Sequence, residues 1–500
     1  MNLSERLALH AAAKPSHVAL SWPGGQLMYS ALPAQVAAAV HLLQATGVEV
    51  LALDIGNGPA WVVLDIAALQ LGICLVPLPP FFSAGQLQHS LRHSGVEAVL
   101  TDNPARLRQR ISGILSNSQT PVYIVEQRLT WITTVPDLNK KVSLPAGVHK
   151  ITYTSGTTGE PKGVMLSWTQ MHPVVESLAG AVGLSCRDKH LALMPLAVLL
   201  ENIGGVYASL WAGASVVLLP MDKIGLSGSS QLNGEQMVQA LTRSGATTAI
   251  FTPQMLQNVT EVLECNPELR LPLRFAAVGG ASVSPRLLQR ASAIGLPVFE
   301  GYGLSECASV VCLNTPAGCR PGSVGKPLPH VRLRISEDGE VLIVGQPFAG
   351  YLGEQSPEEE CWPTGDLGEL DGDGFLYLRG RRRNIFISAF GRNIAPEWVE
   401  RELTLEPEIA QAAVFGEARP YNLAVVVPRT DIPLPKIEAA LQRVNRSLPD
   451  YARVSRWITA DAPFSTGNGL LTGTGRIRRD AILEQYKQTI NSIYCENQTA

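Results

Sequence analysis

From residue 191 to residue 303 the chain alternates short apolar runs with stretches of helical character, and each run stops at or beside a glycine or proline. The runs cover 191–196, 215–220, 248–253, 275–280 and 297–303, and stretches of a dozen or more residues separate most of them. Apolar runs this short, bounded by turn residues, read as buried strands, and their alternation with helices favours α/β layers with largely parallel strands. In such a fold ligands gather beyond the carboxyl ends of the strands. The glycine-rich ends at Gly279-Gly280 and Gly301-Tyr302-Gly303 are therefore where chemistry is expected.

The same alternation opens the chain. Residues 33–46 place Val36, Val40 and Leu43 on one helical face, with Pro33 at the start and Gly47 just past the end. After about Val331 the pattern changes: 340–344, 375–378 and 384–388 read as short strands joined by Asp/Gly turns, notably Asp371-Gly372-Asp373-Gly374. From Ile394 a small α+β unit follows, with a helix at 395–405, strands at 410–416 and 423–428, and a helix at 435–447. A chain of 500 residues exceeds one ordinary core. The expected fold class is α/β, with a large N-terminal α/β domain of several subdomains over 1–380 and a small C-terminal α+β domain over 381–500.

Charge narrows the partners. Forty basic against 43 acidic residues leave a formal charge of −3, without the clustered positive surface that nucleic acid requires. The most membrane-like stretch, 61–77, is interrupted by Asp65 and Gln70 and is too short to span a bilayer. The polar start Met1-Asn2-Leu3-Ser4-Glu5 lacks the layout of a signal peptide. Eight scattered cysteines show neither a CxxC pair nor zinc-ligand spacing and read as reduced thiols. The expectation is a cytoplasmic protein with no nucleic-acid partner and no transmembrane segment.

The segment from Tyr153 to Val164, YTSGTTGEPKGV, sets hydroxyls and glycines ahead of a lysine. Backbone N–H groups, hydroxyl donors and one cation in that order can wrap a polyphosphate. It is not a Walker A loop, because Lys162 is followed by Gly163 and Val164. It resembles the phosphate loop of the adenylate-forming superfamily, which includes acyl-CoA synthetases, luciferases and peptide-synthetase adenylation domains. Further segments stand in the order that family uses, so the resemblance covers nearly the whole chain. It implies that Thr154, Ser155, Gly156, Thr157, Thr158, Gly159 and Lys162 hold the phosphates of ATP. Gly279-Gly280-Ala281 resembles the turn along the adenine and the acyl pocket. In Gly301-Tyr302-Gly303-Leu304-Ser305-Glu306 the resemblance makes Tyr302 the ring on adenine, Ser305 an α-phosphate contact and Glu306 the Mg²⁺-associated acid, a fitting donor for a hard cation. Thr364-Gly365-Asp366 is similar to the ribose-binding segment, with Asp366 accepting from sugar hydroxyls. Gly380-Arg381-Arg382-Arg383 resembles the hinge, with Arg381 on ribose and phosphate, Arg383 at the pivot, the small domain mobile, and Arg379 and Arg382 solvated. The loop at Phe390-Gly391-Arg392 resembles the one that swings in for thioester formation, where Gly391 lets a thiol approach.

Substrate and acceptor are read from the rest. The segment Met194-Pro195-Leu196-Ala197-Val198-Leu199-Leu200-Glu201 lacks the aspartate that binds an amino acid's amine and resembles the fatty acyl-CoA synthetase branch, with Val198 in place of a histidine. Glu201 itself reads equally as an ordinary helix-start acid. Where the family has Gly-Lys before its C-terminus, this chain has Gly475-Arg476, followed by Arg478 and Arg479. The resemblance thus implies ATP- and Mg²⁺-dependent activation of an apolar acid, a fatty acid by this reading, at a site where Arg476 replaces the bridging lysine. Transfer to CoA follows. Loading of an acyl-carrier protein is the alternative, and a degenerate adenylate-binding protein without turnover is the alternative of another class.

Overall fold

A computed structural model of the chain describes residues 1–111, 113–135, 142–154, 161–227, 231–354, 360–472 and 475–496. The apolar runs between 215 and 303 form the centre of a nine-stranded sheet. Strands Thr248–Phe251, Phe275–Val278 and Val298–Tyr302 pair in parallel, and Lys189–Leu191 lies parallel between Ser215–Val217 and Thr248–Phe251. Antiparallel pairs appear only toward the sheet's edges.

One run departs from expectation. The strand at 191–196 is instead Lys189–Leu191, and the residues that follow leave the sheet. The physical reason is a competing set of acceptors and donors. Glu201 takes the N–H groups of Leu193 and Met194, while the Asn57 side chain receives the Leu196 N–H and donates to the Met194 carbonyl. Glu201 stands in the first turn of the π-helical segment Leu200–Tyr207, as a helix-start acid would. It is also fully buried, and a second oxygen contact joins it to His190 Nε2 at 2.7 Å, so it clamps the loop as well.

A second sheet of seven strands has a parallel centre of Val50–Asp54, Cys74–Pro77, Ala98–Thr101 and Val148–Thr154. The expected N-terminal helix spans Leu32–Thr46, buries Val36, Val40 and Leu43, and ends at Gly47 in the left-handed region. The membrane-like stretch forms the helix Pro59–Leu71, buried in a cluster that draws on the two sheets, and the strand Cys74–Pro77, whose Leu75 joins that cluster while Cys74 and Val76 pack into another. Its Asp65 is compensated by Lys150 at 2.9 Å and by Asn202 at 2.8 Å. Among the described residues no helix is long and apolar enough to cross a membrane.

Strands Leu333–Ile335, Glu340–Val344, Cys361–Leu370 and Leu376–Arg381 form a four-stranded antiparallel sheet in sequence order. Glu340–Val344 is a strand as expected, whereas the next two shift to Leu376–Arg381 and Phe386–Ile387. The Asp371–Gly374 turn is built by Asp371 Oδ1, which accepts from the N–H groups of Asp373 and Phe375. The smaller C-terminal domain has the helix Pro396–Thr404, strands Ile409–Phe415 and Asn422–Pro428 and the helix Leu434–Ser447, each within two residues of expectation. It adds the strand Val454–Thr459, parallel to Asn422–Pro428, and the helix Arg479–Glu496. Its two apolar clusters draw only on residues from Phe386 onward, while Leu405 packs into a cluster of the large domain.

Candidate functional site

Two strand ends meet where chemistry was expected. Phe275–Val278 runs into Gly279-Gly280, and Val298–Tyr302 runs into Gly303. A Cβ on Gly303 would lie 1.6 Å from the Ser309 carbonyl oxygen, so no side chain fits there. Gly280 adopts φ +82°, which turns the chain at the rim of the cleft and leaves its carbonyl oxygen accessible to a donor. Ala281 beside it is exposed.

Onto this rim the sequence converges from three directions. Tyr302 Oη donates to Asp366 Oδ2 at 2.7 Å, and Arg381 Nε meets Asp366 Oδ1 at 2.8 Å. From the small domain Arg476 Nη2 donates to the Gly280 carbonyl at 2.8 Å. The Arg476 side chain keeps contact with water, but the cleft walls strip hydration from its head and Arg381 and Arg383 crowd it, holding its pKa below the usual arginine range, while Asp366 and Glu306 oppose that shift. Arg383 is lowered likewise, by lost hydration first and by Arg381 second. Three guanidiniums thus face two carboxylates, an excess of positive charge suited to an anionic ligand.

The metal-associated acid of the sequence reading has an unforeseen partner. Tyr351 Oη donates to Glu306 Oε1 at 2.7 Å, and burial together with that carboxylate pushes the phenol's pKa far up. Lys162 Nζ stands 4.6 Å from the Tyr351 ring centre and pairs with Glu354 at 2.8 Å. Glu306 Oε2 makes no hydrogen bond among the described residues and remains open as a donor oxygen. No group of three metal-ligating side chains occurs among the described residues. Mg²⁺ suits such a donor set, because it binds through one or two carboxylates and otherwise takes substrate phosphates and water.

Other expected residues are placed less centrally. Thr154 and Lys162 pair across the hairpin that carries the phosphate-loop segment, while Ser155, Gly156, Thr157, Thr158 and Gly159 lie outside the described residues. Ser305 begins a single 3₁₀ turn, Ser305–Cys307, with Glu306 inside it. Gly391 is not brought to the cleft. It is exposed, with φ +72°, and its N–H bonds to Ser388 within the small domain's own loop. Arg382, expected to be solvated, is half-exposed and pairs with Glu340 at 2.9 Å and with Asp338.

A second contact between the domains adjoins the site and was not foreseen. Glu300 is buried in the strand just before Gly301, and loss of hydration raises its pKa to about 7, opposed by Arg401 of the small domain. Arg401 Nη1 also donates to Ser282 Oγ at 2.6 Å. An acid between Phe299 and Gly301 in an apolar run was the available signal for Glu300.

Residues 7–354 match the AMP-binding enzyme family and residues 384–498 match the AMP-binding enzyme C-terminal domain. The chain is 26% identical to a long-chain-fatty-acid–CoA ligase of Mycobacterium bovis, over 87% of this chain and 86% of that protein. It is 28% identical to a 2-succinylbenzoate–CoA ligase of Bacillus cytotoxicus, over 81% and 83% of the two chains. In fold it resembles the o-succinylbenzoate CoA synthetase of Bacillus subtilis solved with its acyl-adenylate intermediate, with a TM-score of 0.75, 23% identity and coverage of 95% and 97%.

Proposed function

We propose that this chain, which belongs to the AMP-binding enzyme family, uses ATP and Mg²⁺ to convert a carboxylic acid with an apolar body into an acyl-adenylate and then passes the acyl group to the thiol of CoA. The observation that carries this reading is the meeting of Arg476 with the Gly280 carbonyl at 2.8 Å, beside Asp366, Arg381 and Glu306. That meeting brings the small domain's cation to the turn expected to run along the adenine and the acyl pocket. CoA as acceptor is favoured by the relatives, which are CoA ligases.

In the first half-reaction the substrate carboxylate attacks the α-phosphorus of ATP and pyrophosphate departs. Arg476 meets the negative charge shared by carboxylate and α-phosphate, Ser305 donates to the α-phosphate, and Arg381 supports phosphate and ribose. Asp366 has both oxygens engaged by Tyr302 and Arg381, yet a carboxylate offers about four lone-pair sites, which leaves room for ribose hydroxyls. The Tyr302 ring, fixed through its hydroxyl, gives adenine a face. The hairpin carrying Thr154 and Lys162 presents the phosphate loop, with Lys162 exchanging Glu354 for the phosphates. Glu306, oriented by Tyr351, would hold Mg²⁺, which supplies neutralisation of the phosphate charge. Fixed donors and cations of this kind dominate catalysis at phosphorus.

In the second half-reaction the small domain, 381–500, turns about a hinge near Arg383. Arg476 withdraws, Gly391 comes to the cleft, and the thiol of CoA attacks the acyl carbon and expels AMP. A fatty acid is the acyl donor we favour, since the stretch 194–201 lacks an amine-binding aspartate and the cavity behind it is mainly apolar.

The test is pyrophosphate release from ATP across a panel of acids, each with and without CoA. Acid-dependent release with thioester formed only when CoA is present is expected. Activity on straight-chain acids should climb with length, by about 0.8 kcal/mol per buried methylene, until the pocket is full. Preference for acetate or an amino acid would sink the fatty-acyl reading, and release without any acid would sink the whole.

A further inference from the structure

Behind the Gly279-Gly280 turn lies a cavity of about 50 Å³, where one water needs roughly 10–15 Å³. Its walls are the helix Trp168–Val182, the π-helical segment Leu200–Tyr207 with the helix Ala208–Trp211 after it, and the strands Thr248–Phe251 and Phe275–Val278. Ala277 and Leu313 line the end near the site, since Ala277 precedes Gly279 by two residues and Leu313 pairs with Gly301. Thr248 and Phe275, at the amino ends of their strands, line the far end. From Phe275 to Gly279 the strand rises about 13 Å. Gly204 contributes to the space, because a Cβ there would come within 3.3 Å of Ile250 Cδ1.

The wall is apolar except for His190, Thr248 and Ser209. His190 and Thr248 satisfy each other at 3.1 Å, and the other ring nitrogen of His190 meets Glu201 at 2.7 Å. Ser209 is 1% exposed and its hydroxyl has no partner among the described residues. Buried hydroxyls are nearly always paired. A trapped water would need two to four polar partners, and Ser209 alone on this wall has a polar atom unpaired.

We infer that the acid activated by this chain ends, beyond its apolar body, in a hydroxyl or carbonyl group that pairs with Ser209. This rests on the function proposed above and deepens it: the carboxylate lies at the cleft, the apolar body runs along the sheet past Gly204, and the distal oxygen meets the Ser209 hydroxyl. A plain alkyl tail fills the same space and leaves that hydroxyl unpaired. Ser209 is then a specificity residue whose contact discriminates between tails of equal size.

The experiment compares acyl-adenylate formation by the full-length chain on two series, straight-chain acids and their ω-hydroxy or (ω−1)-keto counterparts of equal heavy-atom number. At the best length the oxygenated acid should lead in kcat/KM by about tenfold, the scale of one hydrogen bond that would otherwise go unmade. Ser209→Ala should bring that ratio near unity while activity on the plain acid stays within about twofold, a split that a merely structural role for Ser209 would not produce. Plain acids used as well as or better than oxygenated ones, or Ser209→Ala lowering both alike, would overturn this inference and leave acid activation standing. If no acid in either series yields an adenylate, the proposed function fails and this inference fails with it.

Discussion

Arg476→Ala separates the two half-reactions most directly. In the structure the guanidinium reaches the Gly280 carbonyl at 2.8 Å and faces the carboxylates Asp366 and Glu306, beside the proposed phosphate site. Losing one preorganised donor to developing charge costs about 2.7–4 kcal/mol, a fall of roughly 10²–10³ in rate. The effect should fall on pyrophosphate release from acid and ATP, and thioester formation from pre-made acyl-adenylate should be spared. Stability should not suffer, because Arg476 is charged against the pressure of lost hydration, Arg381 and Arg383. Two neighbours serve as controls with distinct outcomes. Arg478 donates to the Gly469 carbonyl at 3.1 Å, and its alanine variant should change little. Arg479 pairs with the buried Glu400 at 2.6 and 2.7 Å, so Arg479→Ala should cost stability by about 3–5 kcal/mol without a selective loss of adenylation. Arg476→Lys keeps the charge but loses the planar fork, and it should remain within about tenfold of the parent. Stopped-flow pyrophosphate release and denaturant unfolding on the same four variants decide the matter. If Arg476→Ala adenylates like the parent, the bridging role is wrong.

The other predictions test separate parts of the site. Glu306→Gln keeps the Tyr351 contact but loses the charge that would hold Mg²⁺, so pyrophosphate release should drop about a hundredfold or more; near-normal release with an intact fold would remove Glu306 from the metal role. Gly391→Leu should preserve single-turnover pyrophosphate release and abolish acyl transfer to CoA, because a side chain obstructs the thiol only after the domain has turned; equal loss of both would contradict the two-state scheme. Glu300 supplies the pH dependence. Its pKa rises from 4.5 to about 7 on folding, so the folded state holds the proton that the unfolded chain releases first. Stability should fall by about 3 kcal/mol as pH climbs through that window. Glu300→Gln should flatten the fall, and an unchanged slope in urea titrations at pH 4.5 and 7 would show that Glu300 does not carry it.

What the sequence made legible is local, and the reason is steric. Gly303 can only be glycine because the Ser309 carbonyl lies where its Cβ would be, and Gly280 turns at positive φ, so such positions are visible as fixed letters at strand ends. Helices with a periodic face and a glycine stop, such as Leu32–Thr46, announce themselves in the same way. The remainder depends on partners far along the chain. Lys150 could not be matched to Asp65, 85 residues away, from either residue's surroundings. Tyr351 and Glu306 meet across 45 residues only after the hairpin and the 3₁₀ turn are packed. The strand Val454–Thr459 has little alternation to reveal it and exists because Asn422–Pro428 offers a parallel edge. Glu201 shows how this matters for function. It is an acid at a helix start in the sequence and in the fold alike, and there its carboxylate also draws Leu193 and Met194 out of the sheet and fixes His190 on the cavity wall. Under the proposed function the reacting atoms are set by motifs that can be read in order, whereas the shape offered to the acyl group would come from a buried carboxylate, a glycine facing Ile250 and the helix packing above the strands. If Gly204 and Ser209 line the acyl site as inferred, substrate choice would drift by changes there that leave every catalytic motif intact.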